Sequence, residues 1–369
     1  MAAAMGIGRF AYTPLLPQMA DTFAWTYAIA GDVASANFVG YFTGALLAPL
    51  LARSPYARIW LGVSFMLSVA TTYLGVYLTD YVAWLLLRFA AGVASACCLV
   101  IVTTYLMDTL QRHKAHHLGN IHFAGVGVGI LLCMAGVFSG GDIVEQWSRQ
   151  GFIAAACMAL SWILLGAGTW APPQAAAEEQ TVEHAPTSMS LRGIILGYGL
   201  FGIGYIVSAT FLVAMGEQVA VAGVDSRLTW VAVGVAIVPS VYLWQWFAQR
   251  KGLGIALRTS YWVLAVGTVI AGVAPNLWWL MLSALVLGGT FAGVTALGLS
   301  AAQAVATRNT AVVVSAMTVA FSVGQMAGPA LAGRMADATG SFLWPSLIAG
   351  VLVAVAAICV RPDPALEKA

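Results

Sequence analysis

Apolar runs of about twenty residues, the length that crosses the roughly 30 Å hydrocarbon core of a bilayer as a helix, recur along this whole chain. Twelve can be marked out, at 2–20, 30–51, 59–79, 82–107, 119–140, 151–170, 192–214, 228–247, 255–274, 277–302, 311–333 and 342–360. Short polar or Gly/Pro-containing breaks separate them. None alternates apolar and polar residues as barrel strands do, and irregular backbone in lipid would leave hydrogen-bonding groups unsatisfied, so each run is read as a helix. Only 8% of the residues are charged, against about 25% in soluble domains. The sequence therefore predicts an all-α integral membrane protein with twelve transmembrane helices.

The net charge of +2 is small and dispersed, which argues against nucleic acid as a partner. The five cysteines lie inside apolar runs without the spacing of a zinc site or a disulfide framework, and read as small core residues. No metal or other cofactor is implied. The opening "MAAAMGIGRF" lacks the basic n-region of a secretory signal peptide.

Lys and Arg placement sets the expected orientation. With a cytoplasmic N-terminus, the inside loops and tail hold eleven basic residues, while the outside loops hold only Arg149, Arg227 and Arg334. Both termini are thus expected in the cytoplasm. The longest polar break, Ala171 to Arg192, is rich in Pro, Ala and Glu without hydrophobic periodicity and reads as a flexible linker. The expected organisation is a six-helix half over 1–170, a cytoplasmic linker over 171–191, and a second six-helix half over 192–369. The halves are related in sequence. "GIGRFAYTPLLPQM" at 6–19 aligns without gaps to "GIGYIVSATFLVAM" at 202–215, an offset of 196, with five identities.

Two six-helix halves in parallel repeat resemble the major facilitator superfamily, a resemblance that places the substrate site between halves near the bilayer midplane. "LLLRFAAGVASA" at 85–96 is similar to that superfamily's helix 4 motif, and the Gly328-Pro329 pair in helix 11 resembles its antiporter-type motif. The helix 2–3 loop motif is degenerate, because Ala48 stands where an aspartate is usual. "ANFVGYFTGALL" at 36–47, "HFAGVGVGI" at 122–130 and "GQMAGP" at 324–329 look like the YbfB/YjiJ-type branch of bacterial transporters. The resemblance implies a multi-pass protein of the bacterial inner membrane; a monomer is expected. Relatives usually carry several more apolar residues before the Gly6 run, so a first helix only just long enough to span is expected here.

A charge at the bilayer centre costs roughly 2.5 to 3.5 kcal/mol on insertion scales, so each intramembrane ionisable group is a functional candidate. Arg9 is expected near the midplane, sharing a helix face with Tyr12 and Thr13 at i+3 and i+4. Pro14 and Pro17 are expected to bend the half of the helix beyond it. Its counterpart at the repeat offset is Tyr205, followed by Ser208 and Thr210. A cation facing a hydroxyl-rich partner suits an anionic or carboxylate-bearing substrate; the alternative is that Arg9 only braces helices. Arg88 either couples proton movement or braces helices, as the family resemblance implies, or snorkels to the outer interface. His122 could titrate near neutral pH, although a structural hydrogen bond is the commoner role. Asn37, Tyr41 and Gln325 line the cavity or, more simply, bond between helices. Gly328 and Pro329 are candidates for gating.

All fourteen acidic residues fall in loops or at helix ends, the deepest being Asp32, about two residues into helix 2. Proton coupling would have to use Asp32, His122 or the substrate itself, or the protein is an uncoupled facilitator or exchanger. The glycine runs at 125–129 and 287–293 lack a preceding strand and a Gly-Lys-Ser/Thr end, so they read as close helix packing and not as phosphate loops. Trp147, Trp170, Trp230, Trp278 and Trp279 are expected in an interfacial belt. No buried Ser/His or Ser/Lys pair, aspartate pair or HExxH is present, so the chain is not read as an enzyme. The expected function is a secondary transporter working by alternating access on a small organic solute, with efflux of an anionic or amphipathic compound favoured. A transporter-like solute sensor is the competing class.

Overall fold

A computed structural model describes residues 1–113, 121–166, 189–305 and 310–360. Apart from isolated bridge residues such as the Val221–Val224 pair, the regular structure among these residues is helical. A short π-helix at Ala2–Ile7 precedes α1 (Tyr12–Phe23), α2 (Tyr27–Arg53), α3 (Ala57–Leu74), α4 (Tyr81–Arg112), α5 (Ile121–Phe138) and α6 (Ile143–Gly166). Then follow α7 (Leu191–Gln218), α8 (Leu228–Lys251), α9 (Leu253–Val273), α10 (Leu277–Val305), α11 (Thr310–Thr339) and α12 (Leu343–Cys359). Among the described residues, eight of these helices are long and apolar enough to cross a membrane. Two shorter apolar helices, His122–Phe138 and Leu343–Cys359, add to them. The expected linker at 171–191 falls largely outside the described residues.

The chain forms two compact units. One comprises 1–25 and 32–180; the other comprises 181–369 together with 26–31, the short stretch that opens α2. The internal repeat is visible in the backbone of both. A Cβ on Gly92 of α4 would sit 2.0 Å from the Asn37 carbonyl oxygen of α2, and one on Gly288 of α10 would sit 2.3 Å from the Val233 carbonyl oxygen of α8. The offset of 196 carries Asn37 onto Val233 and Gly92 onto Gly288. Lipid tails are as apolar as leucine, so membrane helices associate through close packing, and glycine is the residue that lets two backbones meet.

Several helix ends differ from the sequence expectation. The first apolar run is not one helix: it is broken over residues 8–11, between the π-helix and α1. Pro14 has no N–H to return to the carbonyl four residues back, Phe10, so the helix weakens on the N-terminal side of the proline. The Gly8 N–H instead reaches back five residues to the Ala3 carbonyl at 2.8 Å. Helix α2 starts at Tyr27, so Asp32 lies in its second turn, deeper than expected. Helix α6 starts eight residues earlier than its apolar run. Asp142 accepts the Glu145 N–H at 2.8 Å as an N-cap, and Arg149 pairs with Glu145 at 3.1 Å across one turn, which holds the polar stretch 143–150 helical. Trp147 and Trp230 are buried and do not join an interfacial belt, and Trp147 packs 5.6 Å from Trp84. Trp278 and Trp279 are exposed; Trp170 lies outside the described residues.

Candidate functional site

Arg9 lies inside the first unit in the turn at 8–11 that joins the π-helix to α1, where the bonding changes from five residues back at Gly8 to four residues back at Ala11 and the flanking Gly8 and Ala11 keep right-handed helical dihedrals. Arg9 is only 4% exposed. Its guanidinium carbon lies 4.3 Å from the Tyr41 ring centroid, 4.8 Å from that of Phe38 and 5.5 Å from that of Phe10. Tyr41 and Phe38 stand one turn apart on α2, so the arginine is stacked against an aromatic face of that helix. Its Nε and Nη2 are buried and have no hydrogen-bond partner among the described residues. Those two N–H groups form one edge of the guanidinium, the pair that grips a carboxylate or phosphate in two parallel bonds.

Arg88 of α4, also 4% exposed, supports the break from the other side. Its Nη1 donates to the Gly8 carbonyl at 3.4 Å and its Nη2 to the Arg9 carbonyl at 3.1 Å. The same guanidinium lies 4.9 Å from the Tyr12 ring centroid. Asn37 of α2 donates through Nδ2 to the Arg88 carbonyl at 3.0 Å, and its Oδ1 is buried without a partner. The two arginines therefore address different aromatic residues. Arg9 meets Tyr41, and Tyr12 meets Arg88. Thr13 is buried one residue further along α1. No aspartate or glutamate is buried among the described residues, so two buried guanidiniums share a neighbourhood that supplies no buried carboxylate.

In the second unit, α7 and α11 bring together another part of the expected set. The Gln325 side-chain amide donates to the Tyr205 hydroxyl. Tyr205 is stacked against Phe321, centroids 5.6 Å apart and 2° from parallel, and against Phe291 at 4.8 Å. Ser208 Oγ, Ser322 Oγ and Gln325 Oε1 are buried without partners among the described residues. Thr210 is buried in α7. Gly328 packs α11 tightly on α7, where a Cβ would meet Ile206 Cγ2 at 2.5 Å. The Pro329 carbonyl oxygen lies 2.3 Å from where a Cβ on Gly31 would be.

Asp32 and His122 stand apart from these groups. Asp32 accepts the Tyr81 hydroxyl at 3.3 Å, and a His122 ring nitrogen is 3.4 Å from Thr103 Oγ. Sequence reasoning missed Phe38, although its i, i+3 spacing with Tyr41 was available as a signal. It also missed Asp337, whose carboxylate accepts the Tyr27 N–H at 2.9 Å and the Ala28 N–H at 2.8 Å at the start of α2. Nothing in the local sequence around Asp337 points to a partner some three hundred residues away.

Two pseudo-repeated sets of six helices, with buried polar clusters on the first helix of each, define a multi-pass membrane protein of the major facilitator fold. Solved structures agree. A point mutant of nucleoside transporter NupG superposes with a TM-score of 0.72 at 14% identity, over 99% of this chain and 98% of that one. Nucleoside transporter NupG itself gives 0.71 at 15% identity, over 100% and 97%. At such identities the likeness is one of fold. The particular family follows from the sequence: the family described as uncharacterised MFS-type transporter YbfB matches residues 1–361, and the chain belongs to it. No curated protein matches the chain. The protein is a membrane transporter.

Proposed function

We propose that this transporter moves a small organic anion across the bacterial inner membrane by alternating access of its two halves, with both termini cytoplasmic. One observation carries the reading: Arg9 buries an unpaired two-donor edge in a unit where no carboxylate is buried among the described residues. An unpaired buried charge is costly, and a carboxylate, sulfonate or phosphate ester supplied by the substrate would satisfy it. Phe10, Phe38 and Tyr41 around the guanidinium favour an anion with an apolar or aromatic body. Efflux is the direction that the Gly328-Pro329 resemblance favours. The lack of a buried carboxylate among the described residues favours exchange or facilitation over proton coupling through the protein. Asp32 and His122, each beside a hydroxyl, are the groups that would serve a proton-coupled cycle.

The test is counterflow of labelled solutes in proteoliposomes, with organic anions, uncharged nucleosides and organic cations compared. Hydrogen bonds to a charged group contribute about 1.5–3 kcal/mol each. Losing one of them in Arg9→Gln should lower anion transport by about 10- to 150-fold, and losing both by more; Arg9→Lys should restore only part of it. A folded Arg9→Gln protein that transports every solute as the wild type does would remove the proposal. Binding without exchange would favour a sensor.

A further inference from the structure

Outside these clusters, the outer face of the first unit carries a cavity of about 810 Å³, open along its length, between α3 and the last turn of α6. Its wall is a stripe of α3 at i, i+4 spacing: Arg58, Ile59, Gly62, Val63 and Met66, with Trp162 of α6 opposite. At Gly62 the two walls are close: a Cβ there would lie in ordinary contact with the Trp162 ring, at 3.4 Å, so a larger side chain would fill the groove. The Trp162 ring is held by Phe65, edge-on at 6.3 Å, and by Arg58, whose guanidinium carbon is 5.4 Å from the ring centroid. Ile59, Val63 and Met66 are 61%, 49% and 71% exposed.

The groove is chemically two-ended. From Arg58 to Ala70, its far end, it follows α3 for twelve residues, on the order of 18 Å at 1.5 Å per residue. That is about half the hydrocarbon core, the depth of one leaflet. The far end is wholly apolar. The near end holds Arg58, with Arg53 five residues before it across the turn between α2 and α3; both are exposed and neither has a carboxylate partner among the described residues. The N-terminus of α3, whose dipole also favours an anion, has no side-chain cap.

We infer that this groove is a binding site for one anionic phospholipid of the surrounding leaflet. Its phosphate sits at Arg58 and Arg53, and one acyl chain lies along Ile59, Val63 and Met66 over the face of Trp162. Basic residues at a helix end beside an apolar interhelical surface are the arrangement that selects anionic headgroups. A soluble anion would leave the apolar length unfilled, and a second protein copy would leave both arginines without a counter-charge.

The test is native mass spectrometry of the full chain released from nanodiscs, comparing phosphatidylglycerol and phosphatidylcholine of identical chains. One tightly held phosphatidylglycerol is expected, preferred about fivefold, the worth of one basic residue near an anionic surface. Arg58→Gln should lower the preference and Arg53→Gln with Arg58→Gln should abolish it, while Arg58→Lys should keep most of it. Gly62→Leu should lower retention of both lipids by filling the groove. If that variant fails to fold, a phosphatidylglycerol with a photoactivatable acyl chain on the wild type should crosslink within residues 59–70. An unchanged lipid ratio in Arg58→Gln overturns the inference. So does crosslinking only elsewhere, stabilisation by glycerol phosphate equal to that by the lipid, or a second protein copy in place of lipid.

Discussion

Replacing Arg88 by methionine tests whether the break in helix 1 is held from outside. The side chain is buried, similar in length and free of donors after substitution, so packing changes little while two hydrogen bonds disappear. The bond to the Arg9 carbonyl at 3.1 Å is of ordinary length, and the one to the Gly8 carbonyl at 3.4 Å is at the long limit. At about 1.5–3 kcal/mol for a charged donor, the first contributes near the middle of that range and the second near its bottom. Removing a buried cation returns part of its desolvation cost, so the net loss for residues 7–12 should be about 2–4 kcal/mol. Amide exchange at these residues, followed by mass spectrometry in detergent or nanodiscs, should then accelerate by about 30- to 1000-fold. Arg88→Lys, with one compact ammonium that reaches a single carbonyl, should fall between. Anion transport should drop in the same order as exchange rises, because Arg88 acts by positioning Arg9. Exchange at 7–12 that matches wild type in Arg88→Met would refute the bracing role. Transport lost at unchanged exchange would mean that Arg88 handles substrate or protons directly.

Three further outcomes are expected. Gly92→Ala and Gly288→Ala should each lower thermal stability by about 1–3 kcal/mol, since the new Cβ would meet a backbone oxygen at 2.0 and 2.3 Å; Gly289→Ala, with nothing within 4 Å, should be neutral or gain up to about 1 kcal/mol. Asp337→Asn loses one acceptor and the charge at the N-terminus of α2, which should cost about 1 kcal/mol and speed exchange of the Tyr27 and Ala28 amides. In the loop before α8, the Arg227 side chain bonded to Asp225, at 2.6 Å for the shortest contact, holds the Asp225 carboxyl below its usual range. That stabilisation is present above the ordinary carboxylate pKa of about 4 and fades as pH falls through the lowered value. Both groups are partly exposed, so it should not exceed about 1 kcal/mol, and Asp225→Asn should flatten thermal stability against pH in that acid range.

Run length was enough to find the helices because lipid imposes one simple demand, some twenty apolar residues with every backbone group bonded internally. It failed where water or a cap takes over that demand. The polar start of α6 is held by Asp142 and by the Arg149–Glu145 pair, a local pattern that was readable in the sequence. The break at 8–11 was readable too. A proline withdraws a bond from the carbonyl four residues earlier, so Pro14 points to Phe10 and not to the segment beyond itself. The partners of Arg9 were not readable. Besides the adjacent Phe10 they come from α2, some thirty residues away, and Tyr12, the i+3 neighbour that helical spacing offered, lies against Arg88 instead.

The repeat at offset 196 separates what the fold requires from what the site requires. Backbone contact is conserved across it: Gly92 against Asn37 in one unit, Gly288 against Val233 in the other. The polar chemistry is not. The same offset turns Arg9 into Tyr205, Phe38 into Gly234, Tyr41 into Ile237 and Arg88 into Ala284. Each loss removes a member of the cationic cluster, while Tyr205 gains an amide partner in Gln325 and an aromatic stack from α10 and α11. A purely structural set of helix braces would be expected to repeat along with the helices it braces. Among the described residues the fully buried arginines, Arg9 and Arg88, both lie in the first unit, while the corresponding part of the second carries the neutral hydroxyl, amide and aromatic set, so the cationic cluster belongs to the site chemistry of one unit and not to the repeated packing.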